Sequence, residues 1–268
     1  MKRLLLALLL TAAPAGAQTA TPLTIGETFT IESRVLGETR RINVYAPPGY
    51  AESPETQVPV LYMPDGGMAE DFLHVAGLVQ VSVGNGTMRP FLLVGIENTQ
   101  RRRDLTGPTE SAEDRKIAPR VGGSEAFRRF IRDELMPEVG RRYRTTDETA
   151  IVGESLAGLF VVETLFAEPA LFDHYVALDP SLWWNNEELV KRAGERLRAA
   201  PRASLYLATS DEPGILAPTE RLVAALRANP SAGLRWHYEP MPEEKHSTIY
   251  HPAALRAFRA LFKPAPAR

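Results

Sequence analysis

Within AIVGESLAGLF (Ala150–Phe160) a short apolar run, Ala150 to Val152, passes through Gly153-Glu154-Ser155 into a helix-forming stretch that starts at Leu156. A serine on a sharp strand-to-helix turn presents its hydroxyl above the sheet edge, the arrangement of a nucleophile elbow. Acyl-transfer chemistry needs that turn for two reasons. The hydroxyl of Ser155 becomes reachable by substrate and base, and the backbone N–H of Leu156, at a helix N-terminus, is free to bind a developing oxyanion. Gly153 lets strand and helix approach closely. Where the G-x-S-x-G pattern has its second glycine this chain has Ala157, with Gly158 one place later. The alternative role for Ser155 is a helix N-cap.

A serine hydroxyl is a poor nucleophile at its own pKa and needs a base within hydrogen-bond reach. The chain has five histidines. His74 falls inside a helical pattern, His174 and His237 fall in strand runs, and His251 opens the final helix, so these read as structural or surface residues. His246 lies between the last strand and the last helix, where an elbow-type hydrolase keeps its base. The chain order of such a triad is serine, acid, histidine. The acid is therefore expected after the strand Ser204–Ala208, where Asp211 and Glu212 stand side by side, and the spacing leaves both open. A buried carboxylate there would fix the tautomer of the imidazole and stabilise the imidazolium. A second oxyanion donor is expected after Val58–Met63, where Gly66-Gly67 lets a backbone N–H turn inward with no side chain in the way.

These residues need a scaffold, and the rest of the chain has the pattern of one. Phe29–Val35 and Arg40–Tyr45 flank Leu36-Gly37-Glu38-Thr39 as a hairpin. Apolar strand runs follow at Val58–Met63, Phe91–Ile96, Ala150–Val152, His174–Leu178, Ser204–Ala208 and Leu234–Tyr238. Helical patterns lie between them at Ala69–Val81, Glu125–Arg141 with a kink at Pro137, Leu156 onward, Glu187–Ala200, Thr219–Arg227 and Pro252–Phe262. Strands alternating with helices after a hairpin imply an α/β fold, a mostly parallel sheet with helices on both faces. One domain over 29–268 accounts for the pattern without a second core. The polar stretch Asn98–Gly123 breaks the rhythm. It follows the C-terminal end of a strand and so borders the crevice where such sheets bind ligands.

Taken together, YMPDGG, ENTQRRRDLTGP, GESLAG, ALDPSLWWN and EEKHSTIYH resemble the predicted esterase family of the α/β-hydrolase superfamily, over Phe29 to Phe262. That family includes bacterial siderophore esterases of the enterobactin type and is more distantly similar to S-formylglutathione hydrolases and mycolyl transferases. The resemblance implies an α/β-hydrolase fold and a carboxylic-ester hydrolase that works through an acyl-enzyme. It implies Ser155 as nucleophile, His246 as base and the N–H groups of Leu156 and Gly67 as oxyanion donors, and Glu212 matches the acid position better than Asp211. The family pattern also covers Arg101, Arg102 and Arg103 and the pair Trp183 and Trp184. The arginines could bind an anionic or catecholate substrate, or pair with Asp104 to order the loop. The tryptophans could wall an acyl or aryl pocket, or pack beneath the following helix.

With 31 Lys and Arg against 33 Asp and Glu, the formal charge of −2 gives no electrostatic reason to expect nucleic acid. No histidine pair has metal-ligand spacing, cysteine is absent, and no glycine-rich loop has dinucleotide or P-loop spacing, so neither metal nor cofactor is expected. Met1–Ala17 reads as a secretory signal: Lys2 and Arg3, an apolar run too short for a membrane anchor, then Ala15-Gly16-Ala17 as the cleavage site. Residues 18–28 read as a mobile lead-in. Without cysteine neither a disulfide nor a lipobox is possible, and a soluble periplasmic or secreted protein acting on a small-molecule ester is expected. Two other functions fit the same sequence. One is an acyltransferase on the same scaffold, the other a secreted binding protein that kept the fold and lost catalysis.

Overall fold

The strand runs pair into one eight-stranded sheet. A computed structural model of the chain describes residues 20–197, 202–231 and 233–264, so the signal reading of Met1–Ala17 lies outside the described residues. In chain order the strands are β1 (Glu27–Ser33), β2 (Glu38–Tyr45), β3 (Val58–Pro64), β4 (Leu92–Ile96), β5 (Thr145–Glu154), β6 (His174–Leu178), β7 (Ala203–Thr209) and β8 (Leu234–Pro240). Their order across the sheet is β1-β2-β4-β3-β5-β6-β7-β8. β1 with β2 and β2 with β4 are antiparallel, and the later pairings are parallel. This is the expected α/β-hydrolase arrangement, with the N-terminal hairpin turning at Gly37 (φ 67°).

The helices are α1 (Phe72–Gly84), α2 (Arg101–Asp104), α3 (Ala112–Ile117), α4 (Ser124–Phe130), α5 (Met136–Arg142), α6 (Leu156–Ala167), α7 (Trp184–Lys191), α8 (Ala193–Leu197), α9 (Pro213–Ala228) and α10 (Tyr250–Leu261). Every residue of β3, β4 and β7 is buried, as parallel strands covered on both faces must be. Side chains alternate between two cores. Leu61, Met63, Val152 and Val176 pack with α1 and α10, whereas Val60, Tyr62, Ile151 and Tyr175 pack with α4, α5 and α6. α6 is apolar on nearly all sides because it lies between the sheet and outer helices. Fully burying one Leu or Phe contributes roughly 1.5–3 kcal/mol, so the helix behind Ser155 is firmly anchored.

Three helices depart from the sequence reading. The kink expected at Pro137 is a π-helical turn over Ile131–Leu135 between α4 and α5. The widened turn accommodates a ring that has no N–H to give to the preceding turn. The helix expected from Thr219 starts at Pro213 and runs through Pro218. The helix expected over Glu187–Ala200 is split into α7 and α8, with its last three residues outside the described range. α7 opens through three left-handed residues, Asn185, Asn186 and Glu187 (φ 48°, 52° and 63°).

The polar stretch after β4 is ordered. Asp104, at the end of α2, is fully buried and accepts from Nη1 of Arg40 at 2.6 Å. Arg40 is itself fully buried and stacks over Phe127 with its guanidinium carbon 5.2 Å from the ring centre. Farther on, Ser111 caps α3 by accepting from the N–H of Asp114. Asp114 in turn accepts from Thr109 Oγ1 (2.6 Å) and from the N–H of Asn185 (2.8 Å), which ties this stretch to α7.

Candidate active site

Ser155 stands between β5 and α6 with φ 59° and ψ −121°, a left-handed conformation that a serine adopts only when its surroundings force it. Two glycines make the turn sterically possible. A Cβ on Gly153 would lie 2.6 Å from the backbone carbon of Ala157, and one on Gly158 would lie 2.9 Å from the carbonyl oxygen of Leu178. Gly158 thus lets α6 press on the end of β6, and Ala157 is tolerated because its methyl meets Gly153, which has no side chain. Leu156 is the first residue of α6, so its N–H has no acceptor within the helix.

His246 reaches the elbow from the loop between β8 and α10. Its Nε2 lies 3.0 Å from Ser155 Oγ, and its Nδ1 lies 2.6 Å from Oδ2 of Asp179. An ionised carboxylate can only accept, so Nδ1 carries the proton and Nε2 is free to take the serine's. The hydrogen bond to Asp179 is the largest cause raising the pKa of His246, against the opposing effect of its partial burial. Asp179 follows β6, is completely buried, and has φ 46°. It accepts from the N–H of Ser210 (2.7 Å) and from Ser210 Oγ (2.9 Å).

The acid expected at Asp211 or Glu212 must be corrected. Asp211 pairs with Lys245 Nζ at 2.6 Å, and Glu212 is exposed at the start of α9. The carboxylate bonded to the imidazole is Asp179, one strand earlier. Asp179 lies between Ser155 and His246 in the chain, and the end of β7 contributes Ser210 as a donor to it. A signal for Asp179 was available in ALDPSLWWN, where an aspartate follows an apolar strand directly and precedes a proline.

The remaining expected residues divide between the crevice and the scaffold. The N–H of Gly67 donates to Glu70 Oε2 at 2.6 Å, so it is engaged in this structure. Arg101 makes a two-point pair with Asp65, Nε to Oδ1 at 2.7 Å and Nη2 to Oδ2 at 2.8 Å, and is near enough to Glu154 to feel its charge. Arg102 is exposed and donates to the carbonyl of Ile117. Arg103 has all three nitrogens engaged with Glu38 and Asp104. Its hydrogen bond to Glu38 holds that carboxyl down at about 2. Trp184 packs into the interior. It is buried, donates to the carbonyl of Gly107 at 2.9 Å, and lines a cavity of about 280 Å³ with Gly107, Leu159 and Phe166, none of them at the elbow. Trp183 is half-buried beside it.

Glu154, Asp179 and His246 are the described residues whose donor atoms approach within 4.8 Å of one another closely enough to share a cation. Within that group, Nδ1 of His246 and Oδ2 of Asp179 share a hydrogen bond of 2.6 Å.

Comparison with known proteins gives the family. Residues 33–257 match the family described as Putative esterase. The ferri-bacillibactin esterase BesA of Bacillus subtilis is 30% identical over 175 residues, which cover 58% of this chain and 58% of BesA. A siderophore enterobactin esterase of Emericella nidulans is 34% identical over 103 residues, covering 35% of this chain and 34% of that protein. The chain thus matches little more than half, or less, of the length of these curated relatives. Among solved structures, an IroE-like serine hydrolase from Shewanella oneidensis superposes with a TM-score of 0.79 at 30% identity, covering 88% of this chain and 80% of that one.

Proposed function

The chain belongs to the Putative esterase family, and from that premise we propose that it is a serine hydrolase that cleaves carboxylic esters of the siderophore type through an acyl-enzyme. One observation carries the proposal. It is the unbroken line from Ser155 Oγ to His246 Nε2 (3.0 Å) and from His246 Nδ1 to Asp179 (2.6 Å). In the proposed mechanism Ser155 Oγ bonds to the ester carbonyl carbon as its proton passes to Nε2 of His246. Asp179 stabilises the resulting imidazolium and keeps the ring aimed at the serine. The tetrahedral oxyanion rests on the N–H of Leu156, and Gly67 becomes the second donor as the oxyanion displaces the carboxylate of Glu70. Nε2 then returns the proton to the departing alkoxide, and a water repeats the cycle on the acyl-enzyme to release the acid.

The substrate class is supported by the names of the relatives, which are esterases of ferri-bacillibactin and enterobactin-type siderophores. Arg101 is the arginine proposed to meet an anionic or catecholate group, since about a third of its side chain is open (36% exposed) and it borders the elbow through Asp65. Trp183 is proposed as the aromatic wall. We take 29–268 as one catalytic domain and, from the Met1–Ala17 pattern, assign the enzyme to the periplasm or the medium. No described helix is long and apolar enough to cross a membrane.

The test is a hydrolysis screen over short-chain esters, aryl esters and siderophore trilactones, with fluorophosphonate labelling of the same protein. Wild type should be labelled once, at Ser155. Ser155→Ala and His246→Ala should each lose on the order of 10⁶-fold in kcat, and the double variant no more, because the two act as one unit. Turnover that survives Ser155→Ala would sink the proposal.

A further inference from the structure

Glu154 immediately precedes the nucleophile and has no part in the mechanism above. Its side chain is largely buried, and Oε1 has no hydrogen-bond partner. That oxygen nevertheless lies 3.3 Å from Nδ1 of His246, the nitrogen that donates to Asp179. A buried carboxylate oxygen without a donor is costly unless something in its surroundings compensates. Here the compensation available is the charge that His246 acquires during the reaction.

We propose that Glu154 is a positioning residue for His246, a second carboxylate beside the Nδ1 proton that strengthens the histidine as a base when ionised. The proposal rests on the serine-hydrolase reading. On attack the Ser155 proton moves to Nε2 while Nδ1 keeps its own, so the positive charge of the imidazolium lies between Asp179 and Glu154. An ionised Glu154 lowers the energy of that state. A protonated Glu154 does not.

The groups facing Glu154 come from several elements: His246 from the loop after β8, Asp179 from the end of β6, Asp65 from the end of β3, Arg101 from α2 and Tyr250 from α10. Burial is the main cause pushing the Glu154 carboxyl up to about 8; Asp179 and Asp65 add to it, and His246 and Arg101 oppose it. The charge of Glu154 in turn raises the pKa of His246, as does that of Glu212. Two such close groups titrate as a pair, so two steps in rate are expected. The first rise in kcat/KM follows loss of the proton from His246. The second follows ionisation of Glu154.

The experiment is the profile of kcat/KM from about pH 5 to about pH 10 on a neutral p-nitrophenyl ester, for wild type and Glu154→Gln. Wild type should rise twice, the second time near pH 8, where Glu154 titrates. The second rise should be several-fold, because a stronger base takes the serine proton faster by only part of its gain in proton affinity. Glu154→Gln should rise once, with its acid limb where the first rise of wild type lies, because Glu154 is still protonated and neutral there, and with KM little changed. A second rise that persists in Glu154→Gln, or a wild-type profile with a single rise, overturns the proposal. If that variant does not fold, the Nδ1 proton resonance of His246 in the wild type should move in a second titration near pH 8, and a resonance that stays still there overturns it equally. Fluorophosphonate labelling of Ser155 separates the two levels. A labelled enzyme with a single-step profile refutes the role of Glu154 alone, whereas an unlabelled one refutes the reading beneath it.

Discussion

Asp65, Ser155 and Asp179 all have left-handed backbones, with φ of 57°, 59° and 46°, and all sit at the C-terminal ends of parallel strands. Such conformations cost of order 1–3 kcal/mol each and persist where neighbouring contacts over-determine them. Asp179 is held by its own N–H bonding to Ala208 O and by both donors of Ser210. Asparagine tolerates the left-handed region well, so Asp179→Asn removes the charge with little strain on the backbone. It should cost on the order of 10⁴-fold in kcat at neutral pH, because the imidazole loses both its orientation and the stabilisation of its charged form. Asp211→Asn and Glu212→Gln, assayed alongside, should stay within a few-fold of wild type. Comparable losses in all three would return the acid to the end of β7.

At the scale of elements, the stretch from Asn98 to Gly123 is tied to β2 by a charge network of Arg40, Arg103, Glu38 and Asp104. Arg40 on β2 donates to Asp104 on α2, to Thr99 Oγ1 (2.7 Å) and to the carbonyl of Glu97 (3.0 Å), so strand and loop share a cation that has no access to water. Breaking an isolated buried pair costs about 3–5 kcal/mol, and because Arg40 keeps Glu38 Oε1 at 2.9 Å the cost here should be about 1–3 kcal/mol. Asp104→Asn keeps the shape and should lower the free energy of unfolding by that amount in a urea titration. Arg102→Ala, at the exposed end of the same helix, should change it by less than about 0.5 kcal/mol. Equal effects would mean that the loop is not ordered through Arg40. The order of this loop matters to the site because α2 also presents Arg101 to Asp65 at the crevice.

The whole molecule brings Ser155, Asp179 and His246 together from three separate crossovers of one sheet. Ser155, Asp179 and His246 follow β5, β6 and β8, and the parallel register that sets Leu178 beside Ala208 brings Asp179 to Ser210. Helices on both faces hold that register, so no loop has to carry the geometry alone. Where the molecule acts depends on its N-terminus. Cleavage after Ala17 predicts that exported protein begins at Gln18. Intact-mass measurement of periplasmic or secreted material checks this, and a retained Met1 there would contradict the export reading.

Local order was legible in the residues themselves. Apolar periodicity located the strands and helices, and Gly153-Glu154-Ser155 before an apolar helix marked the elbow, because turn chemistry acts between neighbours in the chain. His246 was legible because it occupies the single loop between the last strand and the last helix. The acid was not. Three carboxylates, Asp179, Asp211 and Glu212, follow strands on the correct side of Ser155, and their local sequences do not say which one meets Nδ1. That choice was made by the register of β6 on β7, which buries Asp179 and turns Asp211 outward to Lys245. The same holds for the adjacent arginines and tryptophans. Sequence set each pair or triplet side by side, but only packing sent Arg103 to Glu38 and Asp104, Arg101 to Asp65, and Trp184 to the carbonyl of Gly107. Contacts between residues far apart in the chain are fixed by how the layers close on one another, and no local pattern encodes them.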